Sequence, residues 1–215
     1  AVFTAASSGG ISGFIHAQAS YSGGRNILVD KVVMTQGNTL NNVTWTGGAN
    51  TDWATAANWD INTVPSATDN VIIPDVGTAP IIGATTEAEI NNLTITEPDG
   101  VNITAGGSLI VNGTSSGDVT YNRDLASTNW YLVSSPVAGE TYNDAYVTAN
   151  SIASGTGSNR GIAPYVTSDD SWGYMQAGDV DATFTAGSGY SVKRSSAGDV
   201  SFTGTLNVAD AGVNV

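Results

Sequence analysis

The sequence predicts an all-β protein, a short β-solenoid or meander followed by a β-sandwich or jelly-roll-like module. Three observations predict it. Apolar and β-branched residues recur as i, i+2 pairs, the pattern of strands with one buried face. Gly, Asn, Asp and Pro corners separate those pairs at short intervals. Strong helix formers are scarce, whereas Ser, Thr and Asn make up close to a third of the 215 residues. With 40% hydrophobic residues the chain can fill a core and is not a disordered polymer.

Residues 1–40 read as a β-hairpin, which either pairs with later strands or is the closing part of a preceding jelly-roll domain. The strand-like runs 14–21 and 26–35 are joined by Ser22-Gly23-Gly24-Arg25. Residues 41–123 read as a Trp-rich cap plus a short solenoid. Three of the five tryptophans, Trp45, Trp53 and Trp59, fall within fifteen residues, and large rings of this kind bury irregular backbone. Beyond them Leu93, Val101 and Leu109 are eight apart, as are Ile95, Ile103, Val111 and Val119. Val71 and Ile73 precede Leu93 and Ile95 by 22 residues, close to one coil of a β-helix. A tight antiparallel meander would give the same numbers.

Residues 124–215 read as a sandwich-like module. Asn129-Trp130-Tyr131-Leu132-Val133-Ser134-Ser135-Pro136 has the look of a buried strand stopped by proline. Further strands are expected over 161–167, 173–176, 182–185, 189–194 and 199–206.

Several motifs occur in succession: Trp45-Thr46-Gly47, Trp53, Asn58-Trp59, Val64-Pro65, Asp69-Asn70-Val71-Ile72-Ile73-Pro74, the eight-residue repeats, Trp130 to Pro136, Gly189-Tyr190-Ser191-Val192-Lys193 and Phe202-Thr203-Gly204-Thr205-Leu206. The succession, over residues 44–206, resembles the C-terminal region of large secreted and cell-surface proteins of Bacteroidota, cargo of the type IX secretion system. The resemblance implies export and surface exposure, in adhesin-like or polysaccharide-acting proteins. It transfers no catalytic residue, and the sorting domain itself is absent from the sequence.

Charge narrows the partners. Six basic residues against nineteen acidic ones give a net charge of -13, so the basic patch that nucleic-acid binding needs is missing. No apolar run approaches the ~20 residues of a spanning helix, and no membrane insertion is expected. With no cysteine and the single His16, thiolate chemistry, zinc sites and a Ser-His-Asp triad find no support. Ca²⁺ is the metal an acidic surface favours, with Asp169, Asp170, Asp179 and Asp181 as candidate ligands. Tyr165, Trp172 and Tyr174 are the candidate glycan-binding residues, since rings beside Asp and Asn can stack on sugar faces and hydrogen-bond hydroxyls. Trp172 is placed in a loop after Asp169-Asp170-Ser171, and Tyr190 in the core. The four Asn-Xaa-Thr sequons at Asn42, Asn92, Asn102 and Asn112 read as accidents of composition.

The expected function is a non-catalytic, extracellular or cell-surface structural or adhesive module of a larger bacterial protein. Its partners would be surface glycans or neighbouring copies or domains of the same protein. The alternative is a glycan-binding accessory region of a polysaccharide-degrading enzyme.

Overall fold

The structure, a computed structural model, describes residues 41–208. The hairpin expected within residues 1–40, with His16, lies outside the described residues. The described chain is nearly all β.

Its first part contains β1 (Asn41–Thr44), β2 (Asp69–Ile73), β3 (Ile81–Ile82), β4 (Glu87–Ile90), β5 (Asn92–Ile95), β6 (Val101–Ile103), β7 (Ser108–Val111), β8 (Ser115–Ser116) and β9 (Val119–Leu125). These strands pair in parallel on three faces: β1-β2-β5-β8, β3-β6-β9 and β4-β7. Asn70 lies beside Asn92 and Leu93 beside Ser115, 22 residues apart, whereas Ile81 beside Asn102 and Glu87 beside Ser108 are 21 apart. The chain therefore winds in coils, each stacked on the last, rather than folding back as a meander. The eight-residue spacing is the step from one face of a coil to the next. The 22-residue spacing is the coil itself.

Side chains alternate in and out of the stack. Val71, Ile73, Ile82, Ile90, Leu93, Ile95, Val101, Ile103 and Val119 are buried inside it. Fully burying such an aliphatic side chain contributes about 1.5–3 kcal/mol. One strand departs from the eight-residue rhythm. Val119 follows Val111 by eight, yet it pairs with Val101 on the second face, because the first-face strand β8 has shrunk to two residues. Gly117 makes that tight corner possible: its φ is +82°, and a Cβ there would run into the Ile95 carbonyl oxygen.

Between coils the corners are tied by amide side chains. Asn70 Nδ2 donates to Asn42 Oδ1 (3.1 Å), and Asn70 Oδ1 accepts from Asn91 Nδ2 (2.9 Å) and Asn92 Nδ2 (2.7 Å). Asn92 Oδ1 in turn accepts from the backbone and hydroxyl of Thr114 (2.7 and 3.0 Å). Asn102 accepts from Asn122 (2.9 Å) and Asn112 donates to Glu89 (3.0 Å). Each of the four sequon asparagines thus holds one coil to the next.

The first turn of the stack is longer, with Asn42 beside Asn70, and the extra residues carry the tryptophans. Trp45, Trp53 and Trp59 are almost wholly buried, with Trp59 edge-on to both others at centroid distances of 5.0 and 4.8 Å. Trp45 Nε1 donates to the Thr78 carbonyl (2.7 Å) and Trp59 Nε1 to the Trp53 carbonyl (2.9 Å). Fully buried Asn58 supports this loop. Its Oδ1 accepts from the backbone of Ala49 and Asn50, and its Nδ2 donates to Asn50 Oδ1 and the Asp52 carbonyl.

The second part contains β10 (Tyr131–Val133), β11 (Val137–Ala138), β12 (Thr141–Tyr142), α1 (Asp144–Ala149), β13 (Ile162–Val166), β14 (Ser171–Trp172), β15 (Ala182–Thr183), β16 (Tyr190–Val192) and β17 (Gly198–Leu206). One antiparallel sheet runs β10-β16-β13-β14. The other is built on the coils: β17 pairs antiparallel with β9 over seven residues and carries β11 on its far side. The module boundary expected at 123/124 therefore falls inside β9. Phe184 bridges the two sheets, 5.2 Å from Phe202 of β17 and 4.8 Å from Tyr190 of β16. Helix α1 was not foreseen. Asn143 caps it by accepting from Tyr146 N (2.9 Å), and its Tyr146 packs on Phe184.

Two measurements test this account. Asn70→Ala is expected to lower stability by about 1–2 kcal/mol in urea unfolding, because three amide partners lose hydrogen bonds, while Asn112→Ala at the exposed rim costs under about 0.5 kcal/mol. The Asp69 carboxyl is subject to desolvation that favours the neutral acid, but hydrogen bonds from the Ser66 backbone, the Ser66 hydroxyl and Asn41 outweigh it and hold its pKa below the ordinary value. Its lowered folded-state pKa adds stability present at neutral pH and lost as pH falls through the acid range. Asp69→Asn is expected to destabilise at pH 7 and to approach the parent protein below about pH 4.

Candidate functional site

Register decides which side chains of the β10-β16-β13-β14 sheet face outward. Val133, Tyr190, Val192 and Ile162 point into the core and are buried. The intervening residues Leu132, Ser191 and Ala163 stand opposite one another on the other face. Tyr165, two residues after Ala163, shares that face, and Trp172 lies directly opposite it. The ladder continues past β14, with Gly173 N donating to the Pro164 carbonyl (3.0 Å) and Met175 N to the Ile162 carbonyl (2.9 Å). This sets Tyr174 opposite Ala163. At the other edge Trp130, two residues before Leu132, comes out beside Lys193.

The result is a face of rings. Trp130 is 45% exposed, Tyr165 44%, Tyr174 41% and Trp172 38%, and these are the exposed aromatic residues among the described ones. Tyr165 and Trp172 meet edge to face at 5.2 Å, and Trp130 meets Tyr174 at 5.8 Å. Trp130 and Tyr174 start from opposite edges, three strand spacings or about 14 Å apart. To come within 5.8 Å both must lean inward over the sheet, and the small residue beneath them, Ala163, is fully buried although it faces outward. Lys193 Nζ sits 5.9 Å over the Trp130 ring, a cation–π contact. Leu132 completes the edge, 72% exposed. Beside Tyr174 the surface sinks into an open depression of about 240 Å³, bounded by Tyr142, Met175, Asp179 and Val180.

All three aromatic residues singled out in the sequence, Tyr165, Trp172 and Tyr174, are on this face. Trp172 is in strand β14 rather than a loop. Trp130 was missed, because the run through Pro136 is apolar at every position from 130 to 133 and so reads as wholly buried. In the structure Tyr131 and Val133 turn inward while Trp130 and Leu132 turn to water. The cationic Lys193, two residues beyond Ser191, was the available signal. Tyr190 is in the core, as its strand position implied.

The acidic candidates have local partners. Asp170, with φ +51°, closes the β13–β14 turn and accepts a hydrogen bond from the Tyr165 hydroxyl, which raises the phenol above the ordinary tyrosine range. Asp169 accepts from the Ser168 hydroxyl (2.9 Å). Asp179 accepts from Gln176 N (2.7 Å) in a separate turn, and Asp181 is exposed after it. Among the described residues no three acidic, histidine or cysteine side chains gather in a group able to hold a metal ion. Elsewhere Asp124 and Asp199 stand opposite each other on β9 and β17, lining an open depression of about 490 Å³ with Arg123. Both carboxylates are exposed.

A family model described as a domain of unknown function (DUF8693) matches residues 44–116. The matched stretch runs from the last residue of β1 to the last of β8, and so takes in the tryptophan cap and stacked coils but not the aromatic face. No curated protein and no solved structure matches the chain.

The two groups of tryptophans differ in what their loss should do. Trp59→Ala, which opens a cavity between Trp45 and Trp53, is expected to cost about 3–5 kcal/mol in urea unfolding. Trp172→Ala on the exposed face should stay within about 1 kcal/mol of the parent. Equal losses would mean that the face is part of the core.

Proposed function

We propose that the chain is a non-catalytic structural and adhesive module of a larger bacterial surface or secreted protein, with the outward face of β10-β16-β13-β14 as its contact surface. The observation that carries this reading is the gathering of the exposed aromatic residues onto one sheet face, over a backbone braced by two packed layers. A folded protein keeps few such rings in water, and an exposed patch of this kind marks a contact. The stacked coils supply rigidity, because the asparagines and Thr114 at their corners bond from one coil to the next. The Asp124–Asp199 pair is the nearest approach to a catalytic arrangement. It lies open to water, without the enclosure that would let one carboxylate act as an acid beside an ionised partner. The resemblance to surface proteins of Bacteroidota supports the extracellular setting.

Microspheres coated with the full chain are expected to be retained on a lawn of Bacteroidota cells under flow. Coating with the Trp130→Ala/Trp172→Ala double variant, folded by circular dichroism, should abolish retention. Retention unaffected by the double substitution would overturn the assignment of the face, and release of reducing ends from a polysaccharide would overturn the non-catalytic role.

A further inference from the structure

We infer that the aromatic face of β10-β16-β13-β14 is a binding site for a neutral glycan chain, lying across β13 and along the run from Trp172 to Tyr174. The inference rests on the adhesive reading above and names its ligand.

Size argues first. An aromatic side chain offers about 150–250 Å², so four rings exposed to between 38% and 45% leave roughly 340 Å² of ring in water. A stable protein partner buries about 800 Å² on each side. The rings alone supply less than half of that, and suit a narrow ligand that meets chiefly the rings.

Spacing argues next. Trp172 and Tyr174 are two residues apart along an extended segment, which sets their attachment points about 6.5 Å apart. Each has a ring partner, Tyr165 and Trp130 respectively, so the face consists of two ring pairs in succession. A ligand made of linked units, each with an apolar face, can place neighbouring units on the two pairs. A pyranose chain has this form: C–H groups on the ring faces and hydroxyls around the edge.

The polar groups between the rings fit hydroxyls. Ser191 lies outward between Leu132 and Ala163, and Asp170 is held at the Tyr165 hydroxyl. Donors and acceptors are thus mixed at the rim, as a polyol requires.

Charge disfavours one competitor, and the cation over Trp130 narrows the room for a second. A polyanion would approach a chain of net charge -13 against its field, with Lys193 the one cation placed on the face by a contact to its rings. A quaternary ammonium ligand would want the π-face of a tryptophan; over Trp130 that position is taken by Lys193, which leaves Trp172 alone for such a ligand. A neutral sugar chain meets neither obstacle.

The test titrates the full chain with neutral hexasaccharides of β-1,4-glucan, β-1,4-xylan, β-1,4-mannan and α-1,4-glucan, with an alginate hexasaccharide and with choline, read by calorimetry and tryptophan fluorescence. At least one neutral hexasaccharide is expected to bind saturably. Trp172→Ala and Trp130→Ala should each weaken it by about tenfold or more without moving the unfolding midpoint, and Trp172→Phe should weaken it less. Tyr165→Ala takes the place of Trp130→Ala if the latter does not fold. Binding of alginate or choline alone, or neutral-glycan binding indifferent to these substitutions, overturns the inference. If no neutral hexasaccharide binds while coated microspheres still adhere through the same face, the ligand class is overturned and the adhesive reading stands. Adhesion that ignores the face overturns that reading on its own terms.

Discussion

Strand β9 is the constraint on which both halves of the described chain depend. Its backbone pairs in parallel with β6, completing the coils, and antiparallel with β17, beginning the sandwich. Val119 and Tyr121 sit in the coil register opposite Val101 and Ile103, while the same Tyr121 faces Phe202 across the antiparallel ladder. A stack of parallel coils presents an open edge at each end, and an open edge is a template for unwanted pairing. At this end the edge becomes the first strand of the next sheet. A slip of one residue in β9 would turn Val119 and Leu125 outward together and spoil both cores at once.

The unusual composition follows from how coils are closed. A coil of 21 or 22 residues must turn three corners, and each corner leaves backbone and side-chain polar groups near the coil above. Asn and Thr satisfy those groups at short range: Asn42, Asn70, Asn92 and Thr114 form one continuous series, and Thr104 Oγ1 reaches the Ile82 carbonyl at 3.2 Å. Long charged side chains would gain little at such corners and would lose rotamer entropy. The Asn and Thr at these corners therefore answer a geometric demand of the coils.

That demand explains what the sequence made legible. Inward pairs such as Leu93/Ile95 and Val101/Ile103 carry strand character and spacing together, because a buried strand position with no hydrogen-bond partner favours apolar residues. Spacing alone favoured the coil without excluding a meander, since pairing direction depends on contacts 22 residues away that no local pattern records. The shrinking of β8 was invisible for the same reason: Ser115-Ser116 has no apolar pair, and only its position beside Leu93 and Thr94 identifies it as a strand. The short helix α1 is fixed by its Asn143 cap and by Tyr146 docking against Phe184, a tertiary contact that overrides weak local propensity. The sequons, read as accidents of composition, have a structural use instead, because their amides are engaged between coils.

The candidate face shows where residue type stops being informative. Trp45, Trp53, Trp59, Trp130 and Trp172 are chemically identical, yet three are nearly inaccessible and two stand in water. What separates them is the backbone around each. The first three lie where the chain can wrap a ring from all sides, and for Trp45 and Trp59 it supplies the carbonyls of Thr78 and Trp53 to the indole N–H. Trp130 and Trp172 project from one face of a regular sheet whose other face already holds the core, and there the pleat permits one direction only. With no layer packed over them among the described residues, what burial they have comes from leaning on each other's neighbours. They do this through Tyr174 and Tyr165, and the remaining ring surface is what a ligand can cover.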